Sequence, residues 1–170
     1  MEWFTIVLNI VGVIVLIGSF VGGIKDGATK AGVNLIVTFI AIYVAGSFYH
    51  LLALALSFLP GENWENFIAF FICIGIASAI LQLILWIPRK IIGKLWSKGT
   101  FFRLIGGILG IVNAAIGLAL LAIVLLTYPI LDFLVKSIND SVVFSTLATA
   151  FGFITGLLPE VFRGLTVLTI

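Results

Sequence analysis

The stretch from Arg103 to Leu126, RLIGGILGIVNAAIGLALLAIVLL, decides the fold of this chain. It runs for 23 residues from Leu104 without a charged side chain, and a helix of that length is roughly 34 Å long at about 1.5 Å per residue. Because the hydrocarbon core of a bilayer is about 30 Å thick, this stretch is predicted to span a membrane.

Small residues recur every three or four positions along this helix, at Gly106, Gly110, Asn113 and Gly117. Positions with this spacing share one helix face, and a face of small residues allows a neighbouring backbone to approach closely. We therefore expect a packing interface there, and the alternative is a ligand or ion site beside Asn113.

The composition extends the membrane prediction to the whole chain. Of its 170 residues, 62% are hydrophobic and only 9% are charged, and the mean hydropathy is +1.34. A soluble domain cannot cover its surface with so few charges, so residues 1–170 are predicted to form a single, all-α integral membrane domain. Its four apolar runs predict transmembrane helices at about 3–22, 31–54, 64–87 and 104–127.

Small residues are also expected to guide how the other helices pack. The first predicted helix ends in two glycine pairs, Gly18/Gly22 and Gly23/Gly27, which predict either tight packing or a break before a turn. The third predicted helix has small and weakly polar residues on one side. This predicted packing face consists of Gly75, Ser78, Ala79 and Gln82.

Two further segments are predicted to lie on the membrane surface. Residues 88–102 form a basic amphipathic helix, for which contact with anionic lipid is predicted and docking of a cytoplasmic partner is the alternative. Residues 141–158 carry no charge and form a mildly amphipathic helix that is interfacial, re-entrant or an oligomer contact. The residues predicted to touch anionic lipid or a partner are Arg89, Lys90, Lys94, Lys98 and Arg103.

The placement of basic residues predicts the orientation of the chain. Seven of the nine lysines and arginines lie between the first two predicted helices, or from the end of the third to the start of the fourth. Because basic loops stay on the cytoplasmic side, both termini are predicted to face away from the cytoplasm.

The sequence has no arrangement typical of an enzyme active site. There is no Ser/His/Asp or Cys/His grouping, no pair of carboxylates within an apolar run, and no phosphate-binding glycine loop. Cys73 is the only cysteine, so the spacing for a disulfide or a metal site is missing. We therefore expect neither catalysis nor a cofactor, and the basic residues do not indicate nucleic-acid binding.

Four apolar runs, a glycine-rich first turn from Gly18 to Gly27, and the sequence RLIGGILG at 103–110 occur together in this chain. This combination resembles the colicin V production protein (CvpA) family of small bacterial inner-membrane proteins. The resemblance covers most of residues 3–160. It implies a place in the bacterial inner membrane and a role in colicin production or export and in envelope homeostasis.

We expect a non-catalytic accessory or assembly factor of this type, in contact with lipid and with other membrane proteins or further copies of itself. One alternative is a small structural subunit of a larger membrane complex. Another is an oligomeric passive channel, transporter or lipid-path subunit. Its path would be lined by Asn34, Thr38, Gln82 and Asn113.

Overall fold

The structure, a computed structural model, describes residues 2–58, 62–88, 90 and 99–158. Within these ranges the regular structure is entirely helical, and no strand occurs. The helices are α1 (Glu2–Ala55), α2 (Glu62–Ile84), α3 (Thr100–Thr127), α4 (Asp132–Asn139) and α5 (Val142–Ala150), followed by a 3-10 helix (Gly152–Leu157).

Three of these helices are long and apolar enough to cross a membrane: Trp3–Ala55, Asn63–Ile84 and Thr100–Thr127. The predicted all-α membrane class is confirmed at this level. The predicted helices at 3–22 and 31–54 both fall within α1, which is 54 residues long.

Gly27 interrupts α1 with a backbone conformation of φ 75° and ψ 167°. Non-glycine residues rarely adopt this region of dihedral space. We call the segment before the interruption α1a (2–26) and the segment after it α1b (28–55). The two segments contact α3 in opposite directions along the chain.

In α1a the contact with α3 is antiparallel. Gly23 lies against Gly106, and Ser19, one turn earlier, lies against Gly110, one turn later. Residue numbers therefore fall along α1a as they rise along α3.

In α1b the contact with α3 is parallel. Ala28 lies against Gly106, Thr38 is hydrogen-bonded to Asn113, and the hydroxyl of Tyr49 is 2.9 Å from that of Tyr128. The chain therefore reverses its direction at Gly27, so that α3 packs against both arms of a helical hairpin.

The core lies between α1b, α2 and α3, on the side of Thr38 away from the Gly27 turn. Aromatic rings join the helices there, and the centroids of Tyr49 and Phe70 are 6.0 Å apart. At the same end, the Asn63 side-chain amide donates to the carbonyl oxygen of Pro129 at 3.0 Å. The large, fully buried side chains of this core include Ile42, Phe70, Ile116, Val124 and Ile154.

The face of α2 predicted for packing does not pack within this chain. Gly75, Ala79 and Gln82 are exposed and Ser78 is only half-buried, whereas the buried positions of α2 are Ala69, Phe70 and Ala77. Aromatic side chains bury more area than small ones, so the face that bears Phe70 fills the core.

The chain after α3 folds back along the bundle through α4, α5 and the 3-10 helix. Of these elements, α4 was not expected from the sequence.

Asn9 of α1a holds the start of α5. Its Oδ1 accepts from Ser141 Oγ at 2.9 Å and from the Val143 amide at 3.0 Å. Ser141 Oγ in turn accepts from the amide of Phe144 at 3.3 Å, as an N-cap residue does.

The segment predicted as one amphipathic helix at 141–158 forms two elements that meet at Phe151. Phe144, Ile154 and Leu158 are buried against the bundle, while Thr146 and Thr149 are exposed. The segment therefore packs on the bundle through these three buried residues, whereas Val142 and Phe153 are exposed.

Candidate functional site

The closest helix contact surrounds the Gly27 turn, where the backbones of α1 and α3 touch without intervening side chains. A Cβ atom built on Gly106 would lie 2.6 Å from the carbonyl carbon of Gly27 and 2.9 Å from the amide nitrogen of Ala28. A Cβ atom on Gly110 would meet the carbonyl oxygen of Ser19. Only glycine fits at either α3 position while the helices keep this separation.

Asn113, seven residues after Gly106, joins α3 to α1b through a side-chain hydrogen bond. Its Oδ1 accepts from Thr38 Oγ1 at 2.6 Å, and the same hydroxyl is 3.0 Å from the carbonyl oxygen of Asn34. Beyond this bond the facing side chains are apolar and buried, at Ile42, Ala45 and Ile116 among others. The contact is therefore apolar between Thr38 and Tyr49, whose hydroxyl is 2.9 Å from that of Tyr128.

A polar pocket of about 190 Å³ lies between α1a, α1b and α3, from the Gly27 turn to Asn113. Asp26 lies at its exposed end, where Lys30 Nζ is 2.6 Å from Asp26 Oδ1. The side chain of Asp26 is 32% exposed and that of Lys30 46%. The lining residues are Ser19, Gly22, Gly23, Asp26, Ala31, Asn34, Gly110 and Asn113.

Three of the glycines predicted to support packing have free space in front of them. No described atom lies within 4 Å of a Cβ atom built on Gly18, Gly22 or Gly117. Gly22 lines the polar pocket, whereas Gly18 and Gly117 do not. The stripe on α3 thus meets α1 through Gly106, Gly110 and Asn113.

The four residues proposed to line a channel do not come together in one chain. Asn34, Thr38 and Asn113 lie at the pocket and at its closed end, whereas Gln82 is exposed on α2. A path through all four residues would therefore need more than one copy.

Of the basic residues predicted to touch lipid, Lys90 and Arg103 lie in the described ranges, and both are exposed. Lys90 Nζ lies 4.2 Å from the centroid of the Trp86 ring, within the range of a cation–π contact. Arg103 is in the first turn of α3. Arg89, Lys94 and Lys98 fall outside the described residues.

Ser19 and Asp26 belong to the pocket but were not among the predicted site residues. The only sequence signal for them was Asp26 with Lys30 at i, i+4 spacing, which is common on exposed helices. Their convergence with Asn113 depends on the reversal at Gly27. Among the described residues, no group of three or more His, Cys, Asp or Glu side chains could hold a metal ion.

Comparison with known proteins gives one match. No curated protein and no solved structure matches the chain. The family model described as colicin V production protein matches residues 8–151, which include α1a from residue 8 onward and all of α1b, α2, α3, α4 and α5. The apolar helices and this match are compatible with a protein of the bacterial inner membrane. The chain belongs to the colicin V production protein family.

Proposed function

We propose that this protein is a non-catalytic accessory or assembly factor of the inner membrane, serving envelope homeostasis or toxin production and export. It would act by presenting helix faces to another membrane protein. The observation that carries the proposal is the outward face of α2, where Gly75, Ala79 and Gln82 are exposed.

That face has the composition of a membrane helix contact. Small residues at i and i+4 let a second helix approach closely, and a side-chain amide beside them can bond across the interface. The opposite face of α2 already packs into the core through Phe70. A helix with one packed face and one small, polar face is suited to join its own bundle to a partner.

We further propose four membrane crossings, with α1a and α1b counted separately and with both termini on the outer side. The reversal at Gly27 supports this topology, because α1a and α1b run in opposite directions along α3. The basic residues Lys25, Lys30, Lys90 and Arg103 would then lie at the cytoplasmic surface, where anionic lipid attracts them.

The proposal is tested by native mass spectrometry of the protein extracted gently from its own membrane, with two matched variants. Gly75→Leu adds a bulky side chain to the α2 face, and Gly117→Leu adds the same side chain on α3. Neither glycine has a described neighbour within 4 Å of its Cβ position, so neither change should disturb the monomer fold. We expect a stoichiometric partner protein with the unmodified chain and with Gly117→Leu, but not with Gly75→Leu.

If the protein is extracted without a partner, or if both variants retain the partner equally, the α2 face is not the contact with a partner protein. A clean homo-oligomer without a second protein would contradict the accessory role. That outcome would favour the oligomeric channel or lipid path, with Gln82 brought toward Asn113 by a neighbouring copy.

A further inference from the structure

The polar pocket holds hydrogen-bonding groups that the fold leaves unused. Asn113 bonds to Thr38 through Oδ1, and its Nδ2 has no hydrogen bond in the part of the chain that the structure describes. The Ser19 hydroxyl is likewise without a partner among the described residues, and Asp26 bonds to Lys30 through Oδ1 only. The polar pocket is therefore lined by hydrogen-bond donors at Asn113 and Ser19 and by an acceptor at Asp26.

The charges around the pocket indicate what it would bind. Asp26 is neutralised by Lys30 at 2.6 Å, and the other lining side chains are uncharged. A free cation or anion would lose its hydration without an opposite charge to compensate. A neutral group with several hydroxyls matches these donors and this acceptor.

The size of the pocket sets a further limit. A cavity of about 150 Å³ holds a molecule of about six non-hydrogen atoms, and this pocket measures about 190 Å³. It is closed at depth by the Thr38–Asn113 bond and by buried apolar side chains. It therefore accommodates a group about as large as glycerol.

The exposed end of the pocket has a basic border. Lys25 and Lys30 are exposed on either side of Asp26, at the end of the hairpin where α1 reverses. Because Lys30 is paired with Asp26, Lys25 is the side chain that would attract a phosphate at the level of lipid headgroups, while the group attached to the phosphate entered the space between the helices.

We infer that the pocket formed by Ser19, Asp26, Asn34 and Asn113 binds a small polyol of the size of glycerol. Its source is either the glycerol headgroup of a phosphoglycerol lipid or free glycerol. The inference is independent of the α2 contact proposed above, since no pocket residue belongs to α2.

The test compares two lipid probes by native mass spectrometry in mild detergent. Phosphatidylglycerol and phosphatidic acid with the same acyl chains both carry a phosphate, but only the first carries the headgroup glycerol. We expect phosphatidylglycerol to bind about ten-fold more tightly, the effect of one to two net hydrogen bonds. Equal binding of the two lipids to the unmodified protein would overturn the inference.

Two glycine variants test whether the preference for phosphatidylglycerol arises in the pocket. Gly22→Val fills the pocket from a position where a Cβ atom meets nothing within 4 Å. Gly18→Val is the matched control, one turn earlier on the same helix, with the same free space and outside the pocket. We expect Gly22→Val to bind both lipids equally and Gly18→Val to keep the preference. A preference that survives in Gly22→Val would overturn the inference.

Ser19→Ala keeps the test decisive if Gly22→Val does not fold, because the Ser19 hydroxyl has no partner within the described structure. We expect it to reduce the preference about five-fold, and an unchanged preference would overturn the inference. Molar glycerol then separates the two sources. If glycerol abolishes the preference for phosphatidylglycerol over phosphatidic acid, free glycerol is a ligand of the pocket. If the preference persists, the ligand is the lipid headgroup, which its phosphate holds in place.

Discussion

Gly23 and Gly106 lie backbone against backbone, so that a Cβ atom on either residue would meet the carbonyl oxygen of the other. The contact occurs beside the turn at Gly27, where α1 reverses its direction. This contact brings both arms of the α1 hairpin against the first turns of α3. The polar pocket lies next to the contact.

Gly106→Ala is expected to destabilise the protein because the added methyl group would overlap the backbone of Gly27 and Ala28. Overpacking of this kind costs about 1–3 kcal/mol. Thermal unfolding in mild detergent, followed by far-UV circular dichroism, measures the loss. Gly117→Ala on the same helix is the control, since its Cβ position is free, and an equal response of the two variants would contradict the close contact.

Gly27→Ala is expected to destabilise the hairpin for a different reason. No described atom lies within 4 Å of a Cβ atom at this position, so the cost comes from the dihedral angles, at about 1–3 kcal/mol. The same unfolding experiment applies, with Gly22→Ala as a control at a helical glycine that also has free space. If Gly27→Ala unfolds no earlier than Gly22→Ala, the turn does not need glycine.

Asn9→Ala is expected to loosen the start of α5, because Ser141 Oγ and the Val143 amide both lose their acceptor. Hydrogen bonds in this setting contribute about 1 kcal/mol each. Hydrogen exchange of residues 141–150 should become faster, while exchange in α2 stays the same. Asn63→Ala, which removes an exposed bond to Pro129, should leave residues 141–150 unaffected.

Tyr128 makes stability sensitive to alkaline pH. Burial, helped by the hydrogen bond that the Tyr128 hydroxyl makes to Tyr49, raises the pKa of the Tyr128 phenol above its ordinary value. An unfolded tyrosine ionises near pH 10, whereas folded Tyr128 stays protonated there. The contribution of Tyr128 to the free energy of unfolding is therefore complete below about pH 10 and is lost as the pH rises above that value.

The measurement is the unfolding temperature of the unmodified protein and of Tyr128→Phe between about pH 8 and 11. Tyr128→Phe should be less stable at neutral pH, because Tyr49 loses the hydroxyl 2.9 Å away. Its unfolding temperature should also fall less steeply above about pH 10. Parallel curves would mean that ionisation of Tyr128 does not oppose folding.

Replacing Lys90, Lys94 and Lys98 together by glutamine should reduce retention of anionic lipid or disturb the orientation of the chain. Each basic group near an anionic surface contributes about 1 kcal/mol. Lipid that co-purifies with the protein, and labelling of cysteines placed near each terminus, report the two effects. Lys136→Gln, on the opposite side of the proposed topology, should change neither.

Sequence periodicity predicted which residues of α3 allow a close approach, and the structure places Ser19 and Gly23 against Gly110 and Gly106. It could not say which helix approaches, because that depends on where α1 reverses. Four glycines between positions 18 and 27 were candidates for the break. Only Gly27 has a positive φ among the described residues of this region.

The sequence could not say whether the small-residue face of α2 packs inside the chain, for a reason specific to membranes. Lipid tails are as apolar as a protein core, so apolar residues do not mark the inner face of a membrane helix as they do in water. Gly75 and Gln82 therefore resembled core-facing residues, although Phe70 occupies the core. The alternative of a ligand or ion site beside Asn113 pointed to the pocket, but Ser19 and Asp26 were missed because the lining comes from three segments, none of which has a local motif.

The contact between Gly23 and Gly106 also sets the order in which this protein can be built. The two residues are 83 positions apart, which a ribosome covers in roughly 4 to 17 s at about 5–20 residues per second. The second arm of the N-terminal hairpin, which ends at Ala55, is completed within that interval, before synthesis of α3 begins at Thr100. The glycine surface of the hairpin therefore exists before the helix that covers it in the folded protein.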